Sequence, residues 1–247
     1  MDADVNAQYY GALKPGQRDY WRYMAAPRWR MATALSLLSS APPGCVADLG
    51  CGDGSLLSIV RRYFPKTTLV GIDLSPEQID ANRKTNPSIS WHVVDLNSSA
   101  PLPSELRGLC DTVLAMEVIE HLKDPRQLLI HAHQLLRPGG RFILSTQSGP
   151  VRETEKRVGH QRHFSAVEMT DLLMSTGWRP VRVWNSGWPF HDLAKWVANL
   201  SPNRTMNHFG EGAYSWRQKI VCFCLQLVFK LNSSARGAQL FVLAEKQ

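Results

Sequence analysis

Residues 45–55 read Cys-Val-Ala-Asp-Leu-Gly-Cys-Gly-Asp-Gly-Ser, and the fold predicted for the whole chain depends on this stretch. Val46–Leu49 is typical of the end of a buried strand. A turn follows in which glycine occupies every second position, at Gly50, Gly52 and Gly54. Glycine allows a ligand to approach the backbone closely, and a helix is predicted directly afterwards, over Leu56–Phe64. The order predicts a small-molecule cleft at the carboxyl end of a strand.

An acidic residue ends the next predicted strand. Asp73 closes the apolar run Thr68–Ile72, at a position where a carboxylate can bind the hydroxyls of a ribose. The glycine spacing is G-x-G-x-G, whereas a dinucleotide fingerprint is G-x-G-x-x-G. Asp48 and Asp53 flank the turn, and their charge would repel a pyrophosphate but attract an ammonium group. The pattern therefore predicts a nucleoside that carries a cationic end.

These residues resemble the class I S-adenosylmethionine-dependent methyltransferases, whose first motif is an acidic residue followed by G-x-G-x-G. The resemblance extends from about Gly44 to Gly177 and includes E-V-I-E-H-L at 117–122, L-x-P-G-G at 136–140 and G-H-x-R-x-F-S at 159–165. It is similar to the ubiquinone-type O-methyltransferases and other small-molecule enzymes of the family. The resemblance implies an α/β fold with a Rossmann-like, seven-stranded, mostly parallel sheet of order 3-2-1-4-5-7-6, the last strand being antiparallel.

The resemblance also implies S-adenosyl-L-methionine as the cofactor and gives its contacts. The glycines would meet the methionyl part, and Asp48 would attract its ammonium group. Asp73 would hold the ribose, Asp95 would receive the adenine amino group, and Leu74 would pack on the adenine ring. The full set of predicted cofactor residues is Asp48, Gly50, Cys51, Gly52, Gly54, Asp73, Leu74, Asp95, Leu96 and Met116.

Two parts of the chain are predicted to lie outside the core of the domain at 44–247. Residues 1–43 would form an N-terminal helical lid, with a helix-like spacing over 20–38 that Pro27 interrupts. Its aromatic residues would line the acceptor pocket or pack the lid on the body: Tyr9, Tyr10, Tyr20, Trp21 and Tyr23. Residues 187–236 would form an insertion with helices near 190–199 and 215–231. Its many aromatic residues indicate an acceptor pocket, a membrane-contacting face or a small satellite core.

Few catalytic side chains are expected, because a sulfonium donor is already activated and the enzyme mainly aligns the reactants and excludes water. A hydroxyl acceptor must lose its proton, and histidine commonly takes it. His121 follows the fourth predicted strand and is the first candidate, as a base or an orienting group. His160 and His163 are further candidates, and Glu117 completes the predicted catalytic set. A structural role for each histidine is the alternative.

A divalent metal is a further hypothesis. Glu117, Glu120 and His121 stand at i, i+3 and i+4, and on a helix they would point the same way and could bind Mg²⁺. The motif looks like the metal motif of ubiquinone-pathway O-methyltransferases and of small-RNA 2′-O-methyltransferases, where the cation binds the acceptor hydroxyls. In this chain His160 or His163 could add a ligand. Family members without metal also carry it, with Glu120 as a cap or an ion-pair partner. Metal dependence stays open at this stage.

Composition narrows the class of protein. The 247 residues, 44% of them hydrophobic, suffice for one α/β domain with a lid. No apolar run reaches membrane-spanning length and the N-terminus lacks the features of a signal peptide, so a cytoplasmic location is expected. The five cysteines lack a Cys-x-x-Cys pair, which predicts reduced thiols. The net charge of +7 comes from basic residues scattered along the chain and indicates a solvated surface.

The function predicted from the sequence is methyl transfer to a small-molecule acceptor, at a hydroxyl oxygen, by a monomer or homodimer that could contact a membrane peripherally. A nitrogen or carbon acceptor is not excluded. One alternative is an RNA 2′-O-methyltransferase that uses a divalent metal, which the positive charge favours. The other is a non-catalytic subunit with the methyltransferase fold, against which the intact glycine turn, Asp73 and Asp95 count.

Overall fold

The computed structural model describes residues 19–209 and 213–247. Tyr9 and Tyr10, two of the predicted pocket residues, lie outside this part of the chain. Among the described helices, none combines the length and apolar character needed to cross a bilayer.

Seven strands form one sheet in the order β3-β2-β1-β4-β5-β7-β6, which confirms the predicted topology. The strands β1 to β5 run parallel, and β7 is antiparallel to both β5 and β6. Their bounds are β1 Cys45–Leu49, β2 Thr68–Asp73, β3 Ser90–Val93, β4 Cys110–Met116, β5 Leu136–Gln147, β6 Trp178–Ser186 and β7 Gln239–Lys246.

Helices cover both faces of the sheet, and others follow the sixth strand, β6, along the chain. Their bounds are α1 Asp19–Tyr23, α2 Ala25–Ser40, α3 Ser55–Tyr63, α4 Pro76–Thr85, α5 Pro125–Leu135, α6 Glu153–Arg157, α7 Ala166–Ser175, α8 Phe190–Leu200, α9 Pro202–Phe209 and α10 Trp216–Phe229. Short 3₁₀ helices occur at Ser104–Leu106 and Ile119–His121. The three helices α8, α9 and α10 all lie between β6 and β7, where the sequence predicted two.

The strand β1 lies between two apolar cores, and all five of its residues are buried. Ala47 and Leu49 belong to one core, together with side chains of α5 and α7. Val46 belongs to the other, with side chains of α2, α3 and α4. Successive residues of a strand point to opposite faces, so a strand covered on both sides carries apolar residues on both. Four of the five residues of β1 fit this rule, and Asp48 is the exception.

Several helix starts follow the local signals in the sequence. The Ser75 side chain accepts a hydrogen bond from the Gln78 backbone N–H, with Pro76 at the first helical position. Ser165 and Glu168 form a reciprocal capping box at the start of α7.

One local prediction is wrong. The N-terminal helical region is interrupted at Met24, and Pro27 lies in the first turn of α2, where a missing N–H removes no helical hydrogen bond.

Two connecting segments are regular. The segment 149–159 contains the helix α6, whose Glu155 carboxylate accepts a 2.6 Å hydrogen bond from the Arg152 N–H. The residues Arg137–Gly140 lie within β5, and the pairing of β4 with β5 shifts there.

Candidate active site

A cleft of about 810 Å³ lies at the carboxyl ends of β1, β2 and β4. Its floor is the glycine turn with the ends of these strands. Residues of α1, α2, α6, α8, α9 and α10 complete its walls. Open α/β sheets bind ligands at this edge, and the volume is ample for a small-molecule site.

The glycine turn exposes its backbone to the cleft at Gly52. This residue has φ +50°, and a Cβ added to it would meet no atom within 4 Å. Gly50 is different, because a Cβ there would lie 2.5 Å from the Val118 side chain. Gly52 is therefore the position where a ligand can lie against the main chain, while Gly50 permits close packing beneath it.

Asp73 joins the end of β2 to the glycine turn. One of its carboxylate oxygens accepts a 2.8 Å hydrogen bond from the Gly52 N–H, and the other accepts a 3.0 Å bond from the Ser75 N–H. Burial raises the pKa of Asp73, although the backbone donors oppose that effect. Asp73 lines the cleft, so its position is compatible with the predicted ribose contact.

Asp48 lies beneath the turn and is buried. Burial raises its pKa well above the usual range, and the negative charges of Asp73 and Asp53 add to this effect. A cationic ligand at the turn would relieve the repulsion within this acidic group. The attraction of an ammonium group by these carboxylates stays a prediction.

The structure divides the predicted cofactor residues into two groups. Those that line the cleft are Gly50, Gly52, Asp73, Leu74, Asp95, Leu96 and Met116. Three others do not line it. Asp48 is buried, the Cys51 side chain packs in the apolar core with α3, and a Cβ on Gly54 would lie 2.6 Å from Trp91. Cys51 and Gly54 therefore have a packing role, and their predicted contacts with the cofactor stay predictions.

Glu117 is held by protein groups at the end of β4. Its carboxylate accepts hydrogen bonds from Ser145 Oγ at 2.8 Å and from Gln239 Nε2 at 2.7 Å, and it also accepts one from Gln147. The guanidinium of the buried Arg30 lies 3.6 Å away. Burial alone would raise the pKa of Glu117, but Arg30 and the side-chain donors lower it to about 2.

This environment changes the predicted role of Glu117. A carboxylate with a pKa of about 2 is a weak base at neutral pH, and its oxygens are already engaged. Its φ of +60° turns the chain at the end of the strand. We therefore assign Glu117 a structural part in the floor of the cleft rather than proton transfer.

The metal triple expected from the sequence is not formed. The segment Ile119–His121 is a 3₁₀ helix, and the chain reverses at Glu117 before it, so the i, i+3 and i+4 side chains do not share a helix face. A different group converges: ligand atoms of Glu120, His121 and His160 lie within 4.8 Å of one another. Two imidazoles and one carboxylate suit Zn²⁺ or Fe²⁺, whereas Mg²⁺ prefers oxygen ligands. These residues do not fit the predicted Mg²⁺.

Glu120 itself is fully buried. One carboxylate oxygen accepts a 2.8 Å hydrogen bond from Thr146 Oγ1, and the other has no hydrogen-bond partner within the described ranges 19–209 and 213–247. Burial raises the pKa of Glu120 well above the usual range, and the charge of Glu117 adds to this. Glu120 thus belongs to a buried group with His121 and His160.

The hydrogen bonds of the histidines define their tautomers. His163 Nδ1 lies 3.0 Å from the Gly149 carbonyl, which can only accept, so this nitrogen carries the proton. In a neutral ring, His163 Nε2 then accepts from His160 Nδ1, 3.0 Å away. His160 Nε2 is consequently left with a lone pair. His163 serves as a support that orients His160.

His121 and His160 face the cleft, and their ring centroids are 4.6 Å apart. Burial lowers the pKa of His121 to about 4 and that of His160 to about 2. Both rings are therefore neutral at physiological pH. His163 does not line the cleft, although it was predicted as a catalytic candidate.

Several residues of the cleft had no signal in the sequence motifs. Lys195 Nζ lies 2.8 Å from Glu155 Oε1 and donates a 2.8 Å hydrogen bond to Gln147 Oε1. These three residues belong to α8, α6 and β5 and meet only in the folded chain. Arg30 is different, because this charged residue lies on the same buried side of α2 as Pro27 and Ala34, and a charge at such a spacing indicates a buried partner.

Comparison with known proteins adds a family match. Residues 20–183 match a family model described as a methyltransferase domain. The chain is 34% identical over 157 residues to malonyl-[acyl-carrier protein] O-methyltransferase of Hahella chejuensis, covering 58% of this chain and 55% of the relative. It is 32% identical over 149 residues to ubiquinone biosynthesis O-methyltransferase of Xanthomonas euvesicatoria, covering 59% of this chain and 54% of the relative. The chain spans about half the length of the curated relatives it matches.

A solved structure matches over nearly the whole chain. N-methyltransferase NodS from Bradyrhizobium japonicum, in complex with S-adenosyl-L-homocysteine, has a TM-score of 0.60 at 17% identity, covering 98% of both chains. At this identity the match shows a shared fold.

Proposed function

The chain belongs to the methyltransferase domain family of class I S-adenosylmethionine-dependent enzymes, and from this membership we propose that it transfers a methyl group from S-adenosyl-L-methionine to a small-molecule acceptor. The observation that carries the proposal is the continuity of the cleft. The open backbone at Gly52 and the carboxylate of Asp73 lie in the same cavity as two neutral histidines. Donor and acceptor can thus occupy one enclosed space.

The cofactor is proposed to lie along the ends of β1, β2 and β3. Its ammonium group would approach the acidic group around Asp48, and its ribose would meet Asp73. The adenine would lie between Leu74 and the backbone of Leu96, near Asp95. Met116, at the end of β4, would then lie towards the sulfonium. The hydrogen bond between Asp73 and the Gly52 N–H supports this arrangement, because it fixes the two proposed contact points relative to each other.

The acceptor atom is proposed to be a hydroxyl oxygen. The lone pair on His160 Nε2 can accept a hydrogen bond from the acceptor hydroxyl, and the His163 ring holds that tautomer in place. The two relatives described above are O-methyltransferases by name. His121, beside His160, would position the acceptor from the other side.

The reaction would be an in-line displacement. The acceptor oxygen forms a bond to the methyl carbon as the S–CH₃ bond breaks, which leaves a neutral thioether. The methylated oxygen is briefly an oxonium, a much stronger acid than an imidazolium. An imidazole with a pKa of about 2, such as His160, can therefore receive the proton after the methyl group has moved. The helices over the cleft would exclude water during this step.

A transfer assay tests this function. The protein is incubated with methyl-labelled S-adenosylmethionine and a panel of small phenols, carboxylic acids, amines and RNA, and the products are identified by mass. Labelled methyl ethers would support the proposal. Labelled amines or labelled RNA 2′-O-methyl groups would show that the acceptor is an amine or an RNA ribose hydroxyl instead. Cofactor binding without transfer to any member of a broad panel would support a non-catalytic subunit.

A further inference from the structure

The helix α10 carries an apolar stripe that faces solvent. Its members are Trp216, Ile220, Phe223 and Leu227, with Leu231 just beyond the end of the helix, and each is between 47% and 70% exposed. Their spacing of three and four residues places them on one face of the helix. Cys222, Leu225 and Phe229 lie on the opposite, inward face. A helix that is apolar on both faces is expected to have a partner on each.

The helix α8 has the same organisation. Leu193, Trp196, Val197 and Leu200 are exposed and follow the spacing i, i+3, i+4 and i+7. The opposite face of α8 lines the cleft with His191, Ala194, Lys195 and Ala198. The helices α8 and α10 contact each other, so together they form one cover over the cleft. We call the two exposed stripes, at 193–200 and 216–231, the outer face.

The outer face is unusual for this molecule. Among the described residues, 19 large hydrophobic side chains are exposed, and 11 of them lie between Trp188 and Leu231. Isolated exposed apolar residues are normal, whereas a contiguous apolar patch marks an interaction site. The concentration on two adjacent helices therefore indicates a partner.

The charges around the outer face are predominantly basic. Residues 188–236 contain six Lys and Arg residues, of which Lys195 lies in the cleft, and two Asp and Glu residues. Arg217, Lys230 and Arg236 are exposed, and the Arg217 guanidinium lies over the Trp216 ring at 5.3 Å. The acidic Asp192 is turned inward, where its carboxylate accepts a hydrogen bond from the Ala238 N–H. The surface thus favours a partner that is apolar inside and negatively charged at its boundary.

We propose that the outer face docks on an anionic lipid surface. Exposed Trp, Phe and Leu side chains would enter the boundary between headgroups and acyl chains, and the basic residues would meet the phosphates. A second copy of this chain fits less well, because a two-fold contact would bring the same basic residues of both copies together. The proposal concerns a surface and does not depend on the reaction in the cleft.

Vesicle sedimentation tests the docking. The protein is mixed with vesicles of phosphatidylglycerol and phosphatidylcholine, and separately with phosphatidylcholine alone. We expect sedimentation with the anionic vesicles that weakens as salt is added. The double variant Ile220→Asn, Phe223→Ser should weaken vesicle binding by about tenfold or more. Both side chains point outward, so calorimetric binding of S-adenosylhomocysteine should stay unchanged and report an intact cleft.

A matched control uses exposed apolar residues elsewhere. Val167 and Met174 on α7 are 71% and 56% exposed, and the variant Val167→Asn, Met174→Ser should bind vesicles like the wild type. Equal vesicle binding by the Ile220/Phe223 variant and the wild type would overturn the proposal. So would absence of wild-type binding to anionic vesicles. A concentration-dependent dimer that the Ile220/Phe223 variant dissociates, without vesicle binding, would assign the outer face to a second copy instead.

Discussion

The pair Arg30 and Glu117 shows how single residues stabilise the floor of the cleft. Both side chains are almost fully buried, and their charges compensate each other at 3.6 Å. Such a pair contributes little net free energy when intact, but removal of one partner leaves an unpaired buried charge. Because Arg30 and Glu117 neutralise each other, the floor of the cleft is polar there but carries no unpaired charge.

We predict that Glu117→Gln lowers the free energy of unfolding by about 3 kcal/mol or more, because Arg30 loses its counter-charge. Urea denaturation measures the change. The double variant Arg30→Met, Glu117→Gln should lose less than the sum of the two single variants, since no buried charge is left unpaired. Additive losses, or a Glu117→Gln variant as stable as the wild type, would show that the pair is not coupled.

His160 permits a prediction about catalysis. His160→Ala should lower kcat/KM by about a hundredfold, because the acceptor hydroxyl loses the hydrogen bond that aligns it with the methyl group, while cofactor affinity stays unchanged. His163→Gln should have a smaller effect, because it only weakens the support of the His160 ring. His92→Ala on β3 is the control and should behave as the wild type. A His160→Ala variant with normal kcat/KM in the transfer assay would exclude this residue from the reaction.

At the scale of elements, local signals were sufficient for the first βαβ unit and for the capped helices. The apolar residues of β1, the glycine turn, Ser75 and Ser165 each determine structure within a few residues. The contacts that the sequence did not predict are long-range. Arg30 meets Glu117 across 87 positions, and Lys195 meets Glu155 across 40. No periodicity in the chain encodes such a meeting, because it depends on how α2 and α8 pack over the sheet.

The ligand set considered for a metal differs from the group that the fold brings together, for a related reason. That ligand set assumed an α-helix after β4, whereas Glu117 has a positive φ and the following segment is 3₁₀. Glu117 is therefore engaged with protein donors, and His160, from a distant loop, joins Glu120 and His121 instead. The residue spacing of a motif predicts which side chains converge on a metal only when the secondary structure of that segment is known.

We predict that exhaustive chelation leaves methyl transfer unchanged and that added Mg²⁺ has no effect, since the carboxylate best placed for Mg²⁺ already binds Arg30 and three other side chains. The measurement is the transfer rate before and after chelation. Activity that is lost and then restored by Mg²⁺ would contradict the prediction. Restoration by Zn²⁺ or Fe²⁺ alone would assign a metal to the group of Glu120, His121 and His160.

At the scale of the whole molecule, the sheet order places the cleft where the chain changes direction. The strand β1 lies between β2 and β4, so the connections after β1 and β4 diverge and leave a space at the carboxyl ends. The helices α2, α8 and α10 then close this space. The N-terminal region is tied to α10, because Gln226 Nε2 donates a hydrogen bond to the Tyr23 carbonyl. The N-terminal helices and the helices between β6 and β7 thus cover the cleft together.

The central claim is that the first βαβ unit binds S-adenosylmethionine across Gly52. Isothermal calorimetry on the variant Gly52→Leu tests it most directly, because the new side chain would fill open space in the cleft. Gly108→Leu is the matched control, since Gly108 also has a positive φ and open space around its Cβ but lies in the turn before β4. We predict that Gly52→Leu weakens cofactor binding by about a hundredfold or more, a loss of about 2.7 kcal/mol, while Gly108→Leu binds as the wild type does. Equal cofactor affinity of the wild type and Gly52→Leu would contradict the account.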